Sequence, residues 1–317
     1  MTTGFGAAGM LTPLVIGDVL GALDSVGVPI PQLLQMADNI AFIALAAIGL
    51  TIIFGMMGVI NLAHGEFIMM GAYITTLSVN VASIPLPVAM LLGALGTAVF
   101  GAIVERTIVR RLYGRLLDSM IVTFGLGLIL TQGTRIIFGN SLQSIGTPFG
   151  QVPGYTYSGY RVLLLFAAIG VLGAVYLVFT RTEFGVQARA TIQDPETARA
   201  MGVDTDRMYT ITFAIGSGLA GLTGALYAPS ATIVPGMGQS FLVESFVTVV
   251  TGGSSVLLGT ALAGGILGTI NAIFSNLYGN FIGQIALLIT AIIVIRLLPD
   301  GLTGLATTIR EKLGERQ

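Results

Sequence analysis

One short run carries most of the chemistry this sequence can offer. It reads Asn61-Leu-Ala-His64-Gly-Glu66-Phe, holds the only histidine of the chain, and lies inside an apolar stretch. An ionisable side chain there costs about 3 kcal/mol to insert, so it normally faces a bundle interior or a water-filled path. Asn61 stands three residues before His64 and suits a helix cap. Gly55, Gly58 and Gly65 allow the helix to break or to pack closely. Two readings follow. Asn61, His64 and Glu66 line a translocation pathway, or they form a structural network in which Asn61 caps while His64 and Glu66 satisfy each other or the backbone. One His and one Glu are too few ligands for a metal site. A proton relay would need further acids, which the apolar runs do not supply.

A second chemistry-bearing segment is the charged stretch 181–207. Asp194-Pro195 has the form of a helix start, with Asp as cap and Pro at the first helical position. Glu196–Met201 then makes a short helix that Gly202 ends. Ala198 and Met201, three apart, share one face. A short helix with small and apolar residues, displayed in a charged loop, suits docking into a partner's groove; the plainer reading is a solvated connection.

The elements that must position these residues follow from composition. Of 317 residues 54% are hydrophobic and 9% charged, with mean hydropathy +0.91. A soluble domain carries about 25% charged residues, so a soluble enzyme and a disordered chain are both excluded. The balance of 14 Lys+Arg against 15 Asp+Glu provides no field for nucleic acid. There is no cysteine, hence no disulfide or thiol chemistry. The fold class is all-α: a polytopic transmembrane helical bundle with interrupted or re-entrant helices and a short cytoplasmic helix. Apolar runs at Ile40–Gly58, Leu62–Val79, Leu86–Val104, Ser119–Gly139, Val162–Thr180 and Tyr209–Ala228 are long enough to cross about 30 Å of hydrocarbon. The uncharged 51 residues Ser245–Ile295 would span about 76 Å as one helix, which is room for two or three crossings, or for one plus re-entrant pieces.

Twelve of the 14 basic residues fall in three clusters: Arg106 to Arg115, Arg181 to Arg207, and Arg296 to Arg316. Basic loops stay in the cytoplasm, so these three segments, including the C-terminus, are cytoplasmic. The stretch 139–160 has no Lys or Arg and fits the outside, with Arg161 a lone exception at its edge. Three crossings before the first basic cluster place the N-terminus outside. Residues 1–38 lack the basic region of a secretory signal and read as an apolar arm, external or interfacial. The membrane domain is 39–305 and the tail 306–317. Gly55–Gly71 and Gly252–Gly268 echo each other as Gly-rich apolar segments, a pattern that can mark transporter halves. Arg135 reads as a snorkelling side chain, and Glu244 as a helix cap.

Glu196-Thr-Ala198-Arg-Ala-Met-Gly202 resembles the Glu-Ala-Ala-x-x-x-Gly loop of ABC-importer membrane subunits, with Thr197 in place of an alanine. Gly58-Val-Ile-Asn61-Leu-Ala-His64-Gly-Glu66-Phe-x-Met-x-Gly-Ala-Tyr73 resembles the hallmark of LivH-type permeases. Arg111-Leu-Tyr-Gly-Arg115, the run from Thr123, Glu183-Phe-Gly-Val-Gln-Ala-Arg189 and Val249-Val-Thr-Gly-Gly253 fit the same family over roughly residues 40–305.

The resemblance implies a permease subunit of an importer in a bacterial or archaeal inner membrane. It would pair with a second homologous permease, two cytoplasmic ATPase subunits and an external substrate-binding protein. The chain would bind no cofactor directly; ATP and Mg would be used by the ATPases. In keeping with this, it has no Gly-x-x-x-x-Gly-Lys-[Ser/Thr] phosphate loop, and its one lysine is Lys312. Asp194, Pro195, Glu196, Ala198, Met201 and Gly202 would form the coupling helix that meets the ATPase. Leu112–Asp118, Thr182–Ala190 and Gly238–Phe246 look more like the urea-type branch, which makes urea or a short amide the first expected substrate and branched-chain amino acids the alternative. A stand-alone secondary transporter or channel would need charges or a selectivity ring along its path, and an intramembrane enzyme would need more catalytic groups; the sequence supplies neither set.

Overall fold

The computed structural model describes residues 30–151, 157–253, 256–298 and 301–302. The arm up to residue 29 and the tail 306–317 lie outside them. The described residues form helices joined by short turns, with one isolated antiparallel bridge between Gln151 and Ser158. The helices are α1 (Ile30–Met57), α2 (His64–Asn80), α3 (Leu86–Thr107), α4 (Leu116–Phe138), α5 (Gly159–Arg181), α6 (Glu183–Gln193), α7 (Pro195–Ala200), α8 (Thr205–Tyr227), α9 (Gly238–Gly252), α10 (Val256–Tyr278) and α11 (Asn280–Leu297). Seven of them, α1, α3, α4, α5, α8, α10 and α11, are long and apolar enough to cross a membrane. Wide apolar faces of α3, α4, α10 and α11 are exposed, as lipid-facing surfaces are. The chain is a multi-pass membrane protein.

The two ends of the bundle are chemically distinct. The α3–α4 corner meets the start of α8 through an ion pair between Arg110 and Asp206, so this end also carries α6 and α7. At the opposite end lie the loop after α4 and the start of α5, where Arg161 pairs with Asp38 of α1 at 3.0 Å. Arg161, the exception to the charge pattern, is thereby accounted for. Its partner is an acid on a helix that begins at Ile30, well inside the segment the sequence assigns to the arm.

α1 is the hub. Ala46 and Ile53 join Phe67 of α2 and Phe213 and Ala220 of α8 in one core cluster, and Phe67 meets the Phe213 ring edge-on at 6.1 Å. Where α2, α3 and α8 touch, glycines replace side chains. A Cβ on Gly221 would fall 2.9 Å from the carbonyl of Gly93, and one on Gly93 would fall 2.8 Å from that of Gly71. With no hydrophobic drive between helices in lipid, such close backbone contact supplies the dispersion energy that holds them.

Besides α6 and α7, two helices inside the bundle are too short to cross alone. α1 ends at Met57, Gly58 turns the chain with φ +61°, and an irregular segment leads back up the bundle. His64 then meets Ala46, eleven residues back along α1, or about 16 Å from its end. α2 therefore begins part-way through the bundle and runs to the end bearing the Asn80 contact with Gln143. α9 is its counterpart in reverse. The chain leaves α8 at that same end, where the Leu142 N–H donates to the Ile233 carbonyl, and returns inward before α9 starts at Gly238. α9 then runs alongside α1 toward the α7 end: Phe241 packs on Phe42, and Val249 on Ala47 and Leu50. The two starts abut, since a Cβ on Gly65 would lie 2.6 Å from the Gly238 carbonyl carbon.

The pairing expected from the glycine echo is thus displaced. The structural counterparts are residues 58–80 and 231–252, not Gly55–Gly71 and Gly252–Gly268. Gly252–Gly268 instead spans a break at Gly253, with φ +82°, and the first half of α10. Glycine content alone registers both kinds of break and does not tell a half-helix from a turn between full ones.

Candidate functional site

The Asn61–Glu66 run builds the start of α2, and its three polar side chains go three ways. The Asn61 Oδ1 accepts the Ala63 N–H at 3.1 Å, closing a tight local turn before the helix; the cap position is Ala63, so Asn61 does not cap α2, contrary to expectation. His64 points to α1, where its Nε2 donates to the Ala46 carbonyl at 2.9 Å and its ring fits against Gly49. Glu66 points to α4, where its Oε1 accepts the Thr131 hydroxyl at 3.3 Å. Asn61, His64 and Glu66 are all buried. His64 and Glu66 do not satisfy each other, contrary to one expectation from their spacing; two residues apart on a helix, they face different neighbours.

Each of the three keeps one polar atom without a protein partner: Asn61 Nδ2, His64 Nδ1 and Glu66 Oε2. Glu66 also lies in the first turn of α2, where a carboxylate favours the positive end of the helix dipole. Opposite its free oxygen, a Cβ on Gly127 would come within 3.3 Å. α4 thus meets the break along one stripe of small residues: Ser119, Thr123, Gly127 and Thr131 are its buried positions. Thr123 holds the irregular segment itself, accepting the Leu62 N–H at 3.0 Å and sitting 3.2 Å from the Ile60 carbonyl. Sequence reading missed Thr123 and Thr131, although the four-residue spacing of the stripe was visible.

The remaining intramembrane charges occupy other places. Arg135 is exposed near the end of α4, a position from which it can snorkel. Glu244 is half-buried in the middle of α9, so it does not cap a helix, contrary to expectation. Beside Arg161, at the end opposite α7, a polar cavity of about 540 Å³ is lined by Ser141, Ser144, Thr147, Ser158 and Thr232 among others.

The charged loop has the expected start and stop, with a different face outward. Asp194 caps α7: one carboxylate oxygen accepts the N–H groups of Glu196 and Thr197 at 3.0 and 3.1 Å, and the other accepts the Thr197 hydroxyl at 2.5 Å. These bonds hold the Asp194 carboxyl below its ordinary range, the Thr197 hydroxyl contributing most. Pro195 is the first helical residue, and Gly202 leaves the helix with φ +92°. The helix ends one residue early, at Ala200. Ala198 is 4% exposed and Met201 82% exposed, so the two do not share a face. Ala198 packs inward, while Met201, in the turn after the helix, stands clear together with the exposed Glu196.

A polar network that sequence reading missed entirely ties this loop to the α3–α4 corner. Arg199 of α7 donates to the Thr205 hydroxyl at 2.7 Å and lies 3.8 Å from Asp206, which also pairs with Arg110. Glu105, fully buried at the end of α3, accepts the Thr210 hydroxyl at 2.6 Å and the Tyr113 hydroxyl. Tyr113 in turn packs on Tyr209 at 4.9 Å. Burial, and the neighbouring Glu105, push the Tyr113 phenol well above its ordinary value, so it remains a donor.

The family model described as "Branched-chain amino acid transport system / permease component" matches residues 32–298. The chain is 27% identical over 282 residues to the high-affinity branched-chain amino acid transport system permease protein BraD of Pseudomonas aeruginosa, covering 82% of this chain and 91% of that one. Over 279 residues it is 27% identical to the corresponding protein LivH of Escherichia coli, again with 82% and 91% covered. It is 26% identical over 284 residues to the probable branched-chain amino acid transport permease protein LivH of Methanocaldococcus jannaschii, covering 83% and 88%. No solved structure matches. The match across residues 32–298, over a bundle of long apolar helices, shows that this chain belongs to the LivH-type family of transport-system permease components.

Proposed function

We propose that this protein is the membrane-spanning permease subunit of an ATP-driven importer for branched-chain amino acids. The observation that carries this reading is the family match across residues 32–298, which takes in α1 to α11. The relatives named above are described as branched-chain amino acid permeases. Urea or a short amide, the first substrate expected from the sequence, has no such support, and the amino acid alternative replaces it. Of the three motifs that favoured urea, Leu112–Asp118 lies in the α3–α4 corner, Thr182–Ala190 in α6 and Gly238–Phe246 in the first half of α9.

In this reading the solute passes the seam between the α2 start and α4. Glu66 is the polar group of that seam, and Asn61 and His64 position it by fixing the break to its own backbone and to α1. The partners are a second permease, two ATPases that hydrolyse ATP with Mg, and an external binding protein. Asp194 to Gly202 contact an ATPase, with Met201 and Glu196 presented outward and Ala198 anchoring the loop. A shift of the ATPases then biases the bundle between two access states through contacts that differ between them.

The test is uptake of labelled leucine and labelled urea in cells carrying the complete transport system, with and without this gene. Leucine uptake that depends on both this gene and the ATPase genes is expected. Gene-dependent urea uptake with leucine unaffected would overturn the substrate, and uptake without the ATPases would overturn the class.

A further inference from the structure

The coupling loop and the helix break sit at different depths of the bundle. One continuous set of polar contacts nevertheless joins them. It starts at Arg199 in α7, whose guanidinium holds Thr205 and approaches Asp206. Asp206 pairs with Arg110 in the short 3-10 turn Val109–Leu112. That turn is fixed on its other side by Glu105, which takes hydroxyls from Thr210 and Tyr113. Tyr113 leads directly into α4, and α4 carries Thr123, which holds Leu62, and Thr131, which holds Glu66.

The strength of these joints is uneven. Glu105 is fully buried with both oxygens bonded, so removing it from its partners would be costly. The charges of Arg110 and Asp206 are half-exposed at 43% and 50%, where ion pairs form and break readily. α4 itself is buried along a single stripe, whereas α2, α3 and α8 meet through close backbone contact. The bundle therefore contains a stiff block, one weakly seated helix, and a pair of exchangeable charges between that helix and the loop.

We infer that Arg110, Asp206 and Arg199 form a latch through which movement of α7 is passed to α4, and that α4 is the element that shifts against the α2 break. Asp206 is shared by two arginines, one on each side of the joint. Displacing α7 presses Arg199 closer or draws it away; because the two guanidiniums compete for one carboxylate, this weakens or strengthens the hold of Asp206 on Arg110. The 3-10 turn and the first turn of α4 follow, and the Thr123 and Thr131 contacts at Leu62 and Glu66 are made or released. Arg110, Asp206 and Arg199 are positioning residues, acting through α4 rather than on the solute. This inference rests on the importer reading above.

The test uses the whole importer reconstituted in liposomes. R110D and D206R are made singly and together, with R110Q as a milder variant should charge reversal lower membrane yield. Two readouts are taken: leucine transported per ATP hydrolysed, and the distance between spin labels at Ile136→Cys on α4 and Val81→Cys beyond α2. The chain has no native cysteine, so the labels are unique within it. In each single variant the transport-to-hydrolysis ratio should fall by about tenfold and the ATP-dependent change in label distance should shrink. The double variant restores the 110–206 pair but sets a like charge beside Arg199; adding R199D reverses every charge of the latch, and that triple variant should recover most of both. A merely structural pair would lower yield or melting temperature but leave the ratio unchanged. Single variants that keep the full ratio and the full distance change would overturn the latch while leaving the importer reading intact. An unaltered complex that transports without ATP would overturn both.

Discussion

Gly65 and Gly238 offer the sharpest test of how the two half-helices meet. In Gly65→Ala the new methyl would lie 2.6 Å from the Gly238 carbonyl carbon, where ordinary van der Waals contact begins at 3.4 Å. The atoms it meets are backbone, so no side chain can swing aside. The Gly238 carbonyl oxygen lies closer still, so the starts of α2 and α9 must part by more than about 0.8 Å, and overpacking of this kind costs about 1–3 kcal/mol. Parting them also moves Glu66, one residue on, relative to Thr131. Gly170→Ala in α5 is the control: it is helical too, but a methyl there meets nothing within 4 Å. Helix propensity alone should make that change neutral or stabilising by up to about 1 kcal/mol. The two substitutions are chemically identical and should have opposite signs. Thermal unfolding of the purified complex, followed by intrinsic tyrosine signal or by aggregation, gives the comparison, with leucine uptake measured in parallel. Gly65→Ala with unchanged stability and uptake would refute the close approach of α2 and α9.

Four further outcomes are expected. Met201→Asp should weaken assembly with the ATPase subunits, read by co-purification, while membrane insertion is kept; unchanged assembly and unchanged uptake would remove Met201 from the contact. Glu66→Gln keeps the shape and removes the charge, and it should lower uptake several-fold without lowering expression; full uptake would make Glu66 incidental. Arg161→Ala leaves Asp38 buried without its partner and should destabilise by about 1–3 kcal/mol, whereas Asp38→Asn with Arg161→Ala should recover most of the loss in a melting series. Asp194 titrates below its ordinary value of 3.8 in the folded protein. Its cap on α7 is therefore in full force above that value and is lost as pH falls through the lower folded one. Amide exchange at residues 196–200 should be independent of pH-induced uncapping between pH 5 and 8 after correction for the intrinsic rate, and Asp194→Ala should speed it throughout.

The parts of this architecture that were legible in the sequence are those written in neighbouring residues. Asp194-Pro195 and Gly202 mark both ends of α7 because capping is a local exchange between a side chain and the next two or three N–H groups. Crossings show as uncharged runs between clusters of arginine. What escaped depends on partners far along the chain. Asp38 looked like an interruption of an apolar arm because Arg161, 123 residues later, is what makes it tolerable inside a helix. His64 and Glu66 looked like one cluster because they are close in sequence, yet α1 takes one and α4 the other. Ala198 and Met201 have helical spacing, but the helix stops between them, and the last residue turns outward. The stripe Ser119-Thr123-Gly127-Thr131 was readable in principle, since four residues of small or hydroxyl type recur once per turn. Its significance depends on knowing that the irregular segment after Met57 lies beside it.

The Thr123 hydroxyl has one proton and a surplus of acceptors. The Ser119 carbonyl at 2.6 Å, the Ile60 carbonyl at 3.2 Å and the Met120 carbonyl at 3.3 Å all lie within its reach, while its oxygen receives the Leu62 N–H. Ser119 and Met120 belong to α4 itself, so the proton has an acceptor that travels with it, and only the Ile60 carbonyl lies across the seam. In the α4 shift inferred above, the hydroxyl proton would keep the Ser119 carbonyl of its own helix, and the contact that breaks would be the Leu62 N–H on its oxygen; a chain that swaps this threonine for valine would keep the shape of the joint and lose that hold on the break.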